Sequence, residues 1–397
     1  MNIKNMLLGS ILRGYASFLR AGTRVDSRRI LFGSMPDYSD NSRALSDYLI
    51  ENGYLEKYDI YWLVRDIEKV RRDNPDAKVT FISNKGWGQI SNLKVYLTAK
   101  WLFATHSNVG YANVPLREKQ HYIRLWHGCS YKDKDKKDKM LTEQGKLQVA
   151  YEKALVAGPL FVKTKSYFWE CPEEKILSIG YPRYDWLLKK TESAWQLYNA
   201  LNNEGGKVVM WMPTYRVCQN VKYSDTNNIF QFPLMANDSD WQKLDDYCAS
   251  KNVVVLVKLH PMQKAYDIKW NKFRNVKIIS NEDFNRVGIQ MYSFLAVTDG
   301  LISDYSSVAV DYMLVDKPIA FTLDDYELYK DGRGFVVPNP LDYMPGHHLY
   351  TVDDLLHYIG DISEGCDPYK GDREKIFGTL LTKSQHYCKD LVSILGL

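Results

Sequence analysis

Gly300-Leu301-Ile302-Ser303-Asp304-Tyr305-Ser306-Ser307, running on into Val308-Ala309-Val310-Asp311, decides the fold. Its first residues form a short apolar run suited to a buried strand, and the polar centre breaks that run. The two serines stand where a helix over 306–314 is predicted to begin. Strand, tight polar turn and helix in that order form the repeating unit of a doubly wound α/β fold. Serine at a helix start caps exposed backbone N–H groups, and the same groups together with the helix dipole bind anions. Capping needs one serine. Two serines and an aspartate directly after a strand exceed it, so Asp304, Ser306 and Ser307 are candidates for holding a phosphate.

Outward from this stretch the same alternation recurs. Short apolar strands are predicted at 207–211, 253–259, 276–279 and 319–321, with helices at 238–251 and 284–293. Towards the N-terminus, strands are predicted at 29–34, 60–64, 78–82, 101–105, 122–126, 154–157 and 175–179, with helices at 42–52 and 86–99. The alternation pauses where a polar helix over 192–201 ends in Asn202-Asn203-Glu204-Gly205-Gly206, a strong stop signal. A chain of 397 residues also exceeds what one hydrophobic core usually supports. The expectation is two doubly wound, Rossmann-like α/β domains facing a cleft, one over 28–190 and one over 206–397.

Before them, residues 1–27 read as an amphipathic helix, with Leu7, Leu8, Ile11, Leu12, Tyr15, Phe18 and Leu19 at helical spacing and Lys4, Arg13, Arg20 and Arg24 beside them. Two readings stand: a helix packed on the first domain, or a basic foot on an anionic membrane surface. No apolar run reaches the length needed to cross a bilayer, and no small-residue cleavage site follows the N-terminus. The six cysteines are scattered, with no C-x-x-C pair or metal-site spacing, which fits a reducing compartment. A net charge of +4 is too small to indicate nucleic acid. The chain carries no Walker loop, G-x-G-x-x-G fingerprint or G-x-S-x-G elbow. The sign-alternating run from Lys132 to Lys139 reads as a solvated face.

In open α/β sheets ligands bind beyond the carboxyl ends of the strands, so residues directly after each strand are where chemistry is expected. Arg124-Leu125-Trp126-His127-Gly128 delivers a histidine able to act as general base, and a glycine that lets a substrate approach the backbone; a strand-end histidine satisfying a turn is the competing reading. Leu256-Val257-Lys258-Leu259-His260-Pro261 delivers a second histidine, suited either to a phosphate or to a capped turn. Arg333, between Gly332 and Gly334, is a candidate phosphate clamp with a loop ion pair as its alternative. Gly180-Tyr181-Pro182-Arg183-Tyr184-Asp185 and Pro213-Thr214-Tyr215-Arg216 add Arg183, Thr214 and Arg216 at the predicted cleft entrance.

In this order, and together with Tyr38-Ser39-Asp40-Asn41-Ser42-Arg43-Ala44-Leu45, these peptides resemble the CDP-glycerol glycerophosphotransferase family of bacterial teichoic-acid and capsule synthesis, whose fold is of the GT-B type. The resemblance implies that the second domain binds a CDP-glycerol or CDP-ribitol donor while the first meets a lipid-linked glycan acceptor. It places His127 and His260 at the catalytic cleft, with Ser306, Ser307 and Arg333 on donor phosphates. It further implies a cytoplasmic protein, peripheral on the inner face of the cell membrane. No residue is assigned to a metal, and Mg²⁺ carried by substrate phosphates remains compatible with the sequence. After His127-Gly128 this chain has Cys129-Ser130-Tyr131-Lys132 where the family usually has Thr-Pro-Leu-Lys, a departure that bears on the acceptor. The alternatives are a GT-B nucleotide-sugar glycosyltransferase or epimerase, and a non-catalytic scaffold of envelope assembly.

Overall fold

The structure is a computed structural model that describes residues 3–83, 85, 88–106, 114–132, 152–214, 232–259 and 268–397. Two sheets organise it. The first contains β1 (Asp26–Gly33), β2 (Asp59–Val64), β3 (Thr80–Ser83), β4 (Ala99–Ala104), β5 (His121–Arg124), β6 (Lys153–Val156) and β7 (Ile176–Ser178), in spatial order β3-β2-β1-β4-β5-β6-β7. The second contains β8 (Lys207–Trp211), β9 (Val253–Val257), β10 (Val276–Ile278), β11 (Gly300–Ser303), β12 (Ile319–Thr322) and β13 (His347–Leu349), in order β10-β9-β8-β11-β12-β13. Every strand pair is parallel. Parallel sheets are covered on both faces, which is why β9 reads Val-Val-Val-Leu-Val with all five residues buried.

Alternate residues of the second sheet enter different cores. Val208, Met210, Val254, Leu256 and Leu301 join a cluster continuous with the first domain, whereas Val209, Trp211, Val255, Val257 and Ile302 face a separate cluster. The two domains therefore share apolar packing. They form a two-domain α/β protein, as expected from the alternation of elements, and of the GT-B type, as the resemblance implied.

Three expectations need correction. The helix predicted over 86–99 is two short helices, Gly88–Ser91 and Leu93–Thr98, with β4 starting at Ala99. The helix predicted over 284–293 splits into Asn281–Arg286 and Met291–Leu295 because Gly288 adopts φ +70°, a conformation that ends a helix. Nor does everything after residue 206 stay with the second sheet. The helix Lys370–Leu380 packs on the helix Leu160–Trp169, and the helix Tyr387–Leu395 packs on Asp40–Glu51 and Tyr184–Leu188. Asp185 accepts from the backbone N–H groups of Tyr387 (2.7 Å) and Cys388 (3.0 Å), and Thr382 donates to the Ala157 carbonyl (2.9 Å). A Cβ on Gly158 would lie 2.4 Å from the Leu380 backbone, so this return crossing needs a glycine.

The N-terminal helix Ile3–Gly22 docks on the first domain, burying Leu12, Ala16 and Leu19 while its other face exposes Ile11, Tyr15 and Phe18. Arg117 closes its end, donating to the carbonyls of Thr23 (2.7 Å) and Arg20 (3.3 Å).

Candidate active site

At the end of β5 the Leu125 N–H still bonds the Ala104 carbonyl (2.8 Å), but Trp126 then turns to φ +58° and Gly128 to φ +118°. A bulky aromatic at positive φ costs about 1–3 kcal/mol and persists only where its surroundings enforce it. Asn41 supplies the enforcement. Fully buried, it donates from Nδ2 to the Trp126 carbonyl (2.9 Å) and accepts from the Arg183 N–H (3.1 Å). The turn presents His127, half-buried, stacked on His106 with ring centroids 4.4 Å apart and planes inclined by 13°. His127 Nδ1 lies 3.2 Å from the Thr105 carbonyl. A carbonyl can only accept, so Nδ1 carries the hydrogen, and in the neutral ring the lone pair is then on Nε2.

On the opposite side, β8 ends at Trp211 and the chain reaches Thr214, while β11 ends at Ser303 and reaches Asp304. Asp304, fully buried, accepts from the Thr214 N–H (2.8 Å) and hydroxyl (2.5 Å). The two residues expected to contact substrate thus tie two strand ends to each other. The helix begins at Ser307, with Ser306 as its N-cap in extended conformation and its side chain making no capping bond. Ser307 meets the first domain directly: a Cβ on Gly128 would lie 2.5 Å from Ser307 Oγ and 2.8 Å from Arg183 Nη2. The expectation that Gly128 makes room for a substrate is corrected by this contact, because the serine of the other domain takes that room.

Arg183 is also corrected. Only 4% exposed, its guanidinium donates to Asp40 (2.6 Å), to the His127 carbonyl (3.2 Å) and to Asp311 (2.5 Å), and lies 4.4 Å over the Tyr292 ring. It joins the domains rather than facing a ligand. Burial works against its charge, but Asp40, Tyr292 and Asp311 outweigh that and hold its pKa above the ordinary value. Asp311, in the helix Ser307–Tyr312, also accepts from the hydroxyls of Tyr184 and Tyr292 (2.6 Å for the latter). Neither Asn41 nor Asp311 had been assigned a role from the sequence, although an aspartate within Val308-Ala309-Val310-Asp311-Tyr312 carries a signal, since a carboxylate there needs partners.

A second crossing lies beyond Gly128. Cys129 and Tyr131 are fully buried, Cys129 Sγ sits 3.0 Å from the Tyr181 hydroxyl, and burial pushes the thiol pKa up. The Tyr131 hydroxyl donates to the Tyr343 carbonyl (2.7 Å), its carbonyl accepts from Val336 N–H (2.9 Å), and Lys132 forms an antiparallel bridge with Phe335. Within the departure at 129–132, Tyr131 and Lys132 therefore pack across the domains. Arg333 stands beside it at the end of the helix Tyr326–Gly332, half-buried. Arg216 and His260, like the run 133–139, lie outside the described residues.

Paired parallel-sheet domains, with Gly128 of one, directly after the strand-end histidine, against Ser307 of the other, define a protein of the GT-B type. The sequence profile of CDP-Glycerol:Poly(glycerophosphate) glycerophosphotransferase matches residues 15–383, and the chain belongs to that family. It is 28% identical over 262 residues to a teichoic acid ribitol-phosphate primase of Bacillus spizizenii, covering 62% of each chain. It is 25% identical over 393 residues to a teichoic acid glycerol-phosphate transferase of Staphylococcus aureus, covering 92% of this chain and 91% of that one. Against four of the curated relatives, the Bacillus spizizenii primase among them, the chain spans 44% to 62% of their length. The solved structure of the wall teichoic acid polymerase TagF shares the fold, with a TM-score of 0.72 at 20% identity over 99% of this chain and 95% of that one.

Proposed function

We propose that the protein transfers glycerol phosphate, or the related ribitol phosphate, from a CDP-alcohol donor to a hydroxyl of a lipid-linked teichoic-acid or capsule glycan, releasing CMP. The observation that carries this reading is the contact of Gly128 with Ser307, which sets the His127 turn of one domain against the serine turn of the other.

In the reaction, His127 Nε2 takes the proton of the acceptor hydroxyl as its oxygen forms a bond to the alcohol-bearing β-phosphorus. The bond from that phosphorus to the bridging oxygen breaks, and CMP leaves with the electron pair. Ser306, Ser307 and Arg333 stabilise the charge on the transferring group, and His260 joins them by family resemblance. No covalent intermediate is needed. Among the described residues no group of three or more His, Cys, Asp or Glu side chains comes together to hold a metal, and Asp304 is spent on Thr214. Mg²⁺ carried by the donor phosphates would neutralise their charge.

The acceptor is reached at a membrane surface. No helix among the described residues is long and apolar enough to cross a bilayer. The outward face of Ile3–Gly22, with Ile11 54% and Phe18 73% exposed, suits a membrane surface, and the protein would sit peripherally on the inner leaflet. The deciding experiment is CMP release from CDP-glycerol, CDP-ribitol and UDP-GlcNAc with a lipid-linked disaccharide acceptor. Acceptor-dependent CMP from a CDP-alcohol is expected, and CMP from neither CDP-alcohol refutes the reading. Co-sedimentation with phosphatidylglycerol vesicles, lost in Phe18→Glu, checks the membrane face.

A further inference from the structure

We infer that Arg183 is a positioning residue that fixes the His127 turn against the Ser306–Ser307 turn, so that it acts on the transfer step through His127 and not by holding the donor. This inference rests on the function proposed above.

The geometry is that of a three-way strut. One guanidinium nitrogen, Nη1, serves the first domain, bonding Asp40 (2.6 Å) and the carbonyl of His127 itself (3.2 Å). The other, Nη2, serves the second domain, bonding Asp311 (2.5 Å). Asp311 lies four residues after Ser307 in the same short helix, so the bond fixes that helix from its buried side. The main chain of Arg183 joins in, since its N–H donates to the Asn41 side chain that holds the Trp126 carbonyl. Every carboxylate that reaches Arg183 is itself anchored: Asp40 begins the helix Asp40–Glu51, and Asp311 receives two tyrosine hydroxyls. A planar fork with five donors makes such contacts in fixed directions, and a lysine cannot replace them all with one ammonium.

Transfer requires the acceptor oxygen and the phosphorus to meet in line, and a misplacement of about 1 Å costs on the order of 10²-fold in rate. A link that spans both turns through one planar group removes the freedom that would allow such misplacement. Arg183 contributes this without reaching the cleft, because all but 4% of its surface is covered by protein.

The test compares wild type, Arg183→Lys, Asp311→Asn, the corresponding double variant, His127→Ala and Arg183→Lys/His127→Ala. For each, kcat and donor KM are measured per folded protein, with the folded fraction read from near-UV circular dichroism and thermal melting. Calorimetry supplies the Kd of CDP-glycerol. In Arg183→Lys, kcat is expected to fall about 10²-fold, while donor Kd stays within about threefold. The double variant with Asp311→Asn should be no slower than the worse single variant, and Arg183→Lys should slow His127→Ala by less than about threefold. Unchanged kcat per folded protein overturns the inference. So does a donor Kd that weakens in step with activity, which would make Arg183 a ligand contact, and so do multiplicative losses in either double variant. If Arg183→Lys does not fold, Asp311→Asn, which leaves the Asp40 and His127 bonds in place, carries the same expectations. Wild-type turnover separates the two levels: no CMP from either CDP-alcohol removes the functional reading and this inference with it, whereas an active wild type with an unaffected Arg183→Lys removes the inference alone.

Discussion

The two domains have the same strand order up to their sixth strand, yet they use their topological switch points differently. In the second sheet the switch lies between β8 and β11, where the Thr214–Asp304 bonds clamp the strand ends and the serine turn opens beside them. That is where a doubly wound sheet is expected to bind its ligand. In the first sheet the switch lies between β1 and β4, and the protein fills it. The Gly33 carbonyl accepts from the Ser42 hydroxyl (2.8 Å) and from the Thr105 N–H (3.3 Å), and Asn41 is buried beside them. Its histidine stands one strand further along, after β5, on the side that meets the other domain. One topology thus leaves its switch point beside the serine turn in one domain and closes it with protein side chains in the other.

The comparison breaks most directly at His127. Under the proposed mechanism His127→Ala is expected to lower kcat about 10³-fold while leaving CDP-glycerol affinity near wild type, because the lost group acts on the acceptor proton. A His127→Ala protein that turns over at wild-type rate would leave the first domain without a chemical role. Next in size is Gly128→Ala. A methyl group would have to fit 2.5 Å from Ser307 Oγ, and the backbone would have to hold alanine at φ +118°. Destabilisation of about 3 kcal/mol is expected from overpacking and strain together. Chemical denaturation measures it, and an unperturbed midpoint would mean that the domains do not touch there in solution.

Ser306→Ala/Ser307→Ala probes the serine turn itself. Hydrogen bonds to charged groups contribute about 1.5–3 kcal/mol each, so losing both is expected to lower kcat by at least about 100-fold with a smaller change in donor KM. The opposite split, a KM rise at constant kcat, would transfer these serines from transition-state stabilisation to ground-state binding.

How much of this could be read from residues alone depends on whether the signal was local. The alternation of strands and helices, the stop at Asn202–Gly206 and the apolar run of β9 are local, and each corresponds to an observed element or boundary. His127 and the serine pair were visible because a polar residue directly after an apolar run needs a reason. The functions of Arg183, Thr214 and Asp304 were not visible, because their partners are far away in sequence: Arg183 and Asp311 are separated by 128 residues, Thr214 and Asp304 by 90. A strand-end arginine looks the same whether its partner is a phosphate or a distant carboxylate. The return of the last two helices to the first domain was hidden for the same reason, since amphipathic helices carry no label for the sheet they cover.

The smallest effect concerns the helix that closes the first switch point. Asp47, in Asp40–Glu51, has its carboxyl pushed up to about 6 by burial, against the opposing pull of Arg43 at 3.3 Å. An unfolded chain would return it to the ordinary carboxylate value of about 4, so between about pH 4 and pH 6 the folded state holds the proton more tightly. More protons bound when folded means that stability falls as pH rises through this window and is level above it. The side chain retains 28% of its surface in solvent, which screens the effect to about 1 kcal/mol. Asp47→Asn is expected to flatten that part of the stability–pH curve measured by urea denaturation, at the expense of the Arg43 contact. A wild-type stability that instead rises with pH up to about 5, with the rise absent in Asp47→Asn, would show that Arg43, not burial, governs Asp47. The filled switch point would then be held by an ordinary surface ion pair, and the contrast with the clamped switch of the second domain would narrow to the buried pair Asn41 and Ser42.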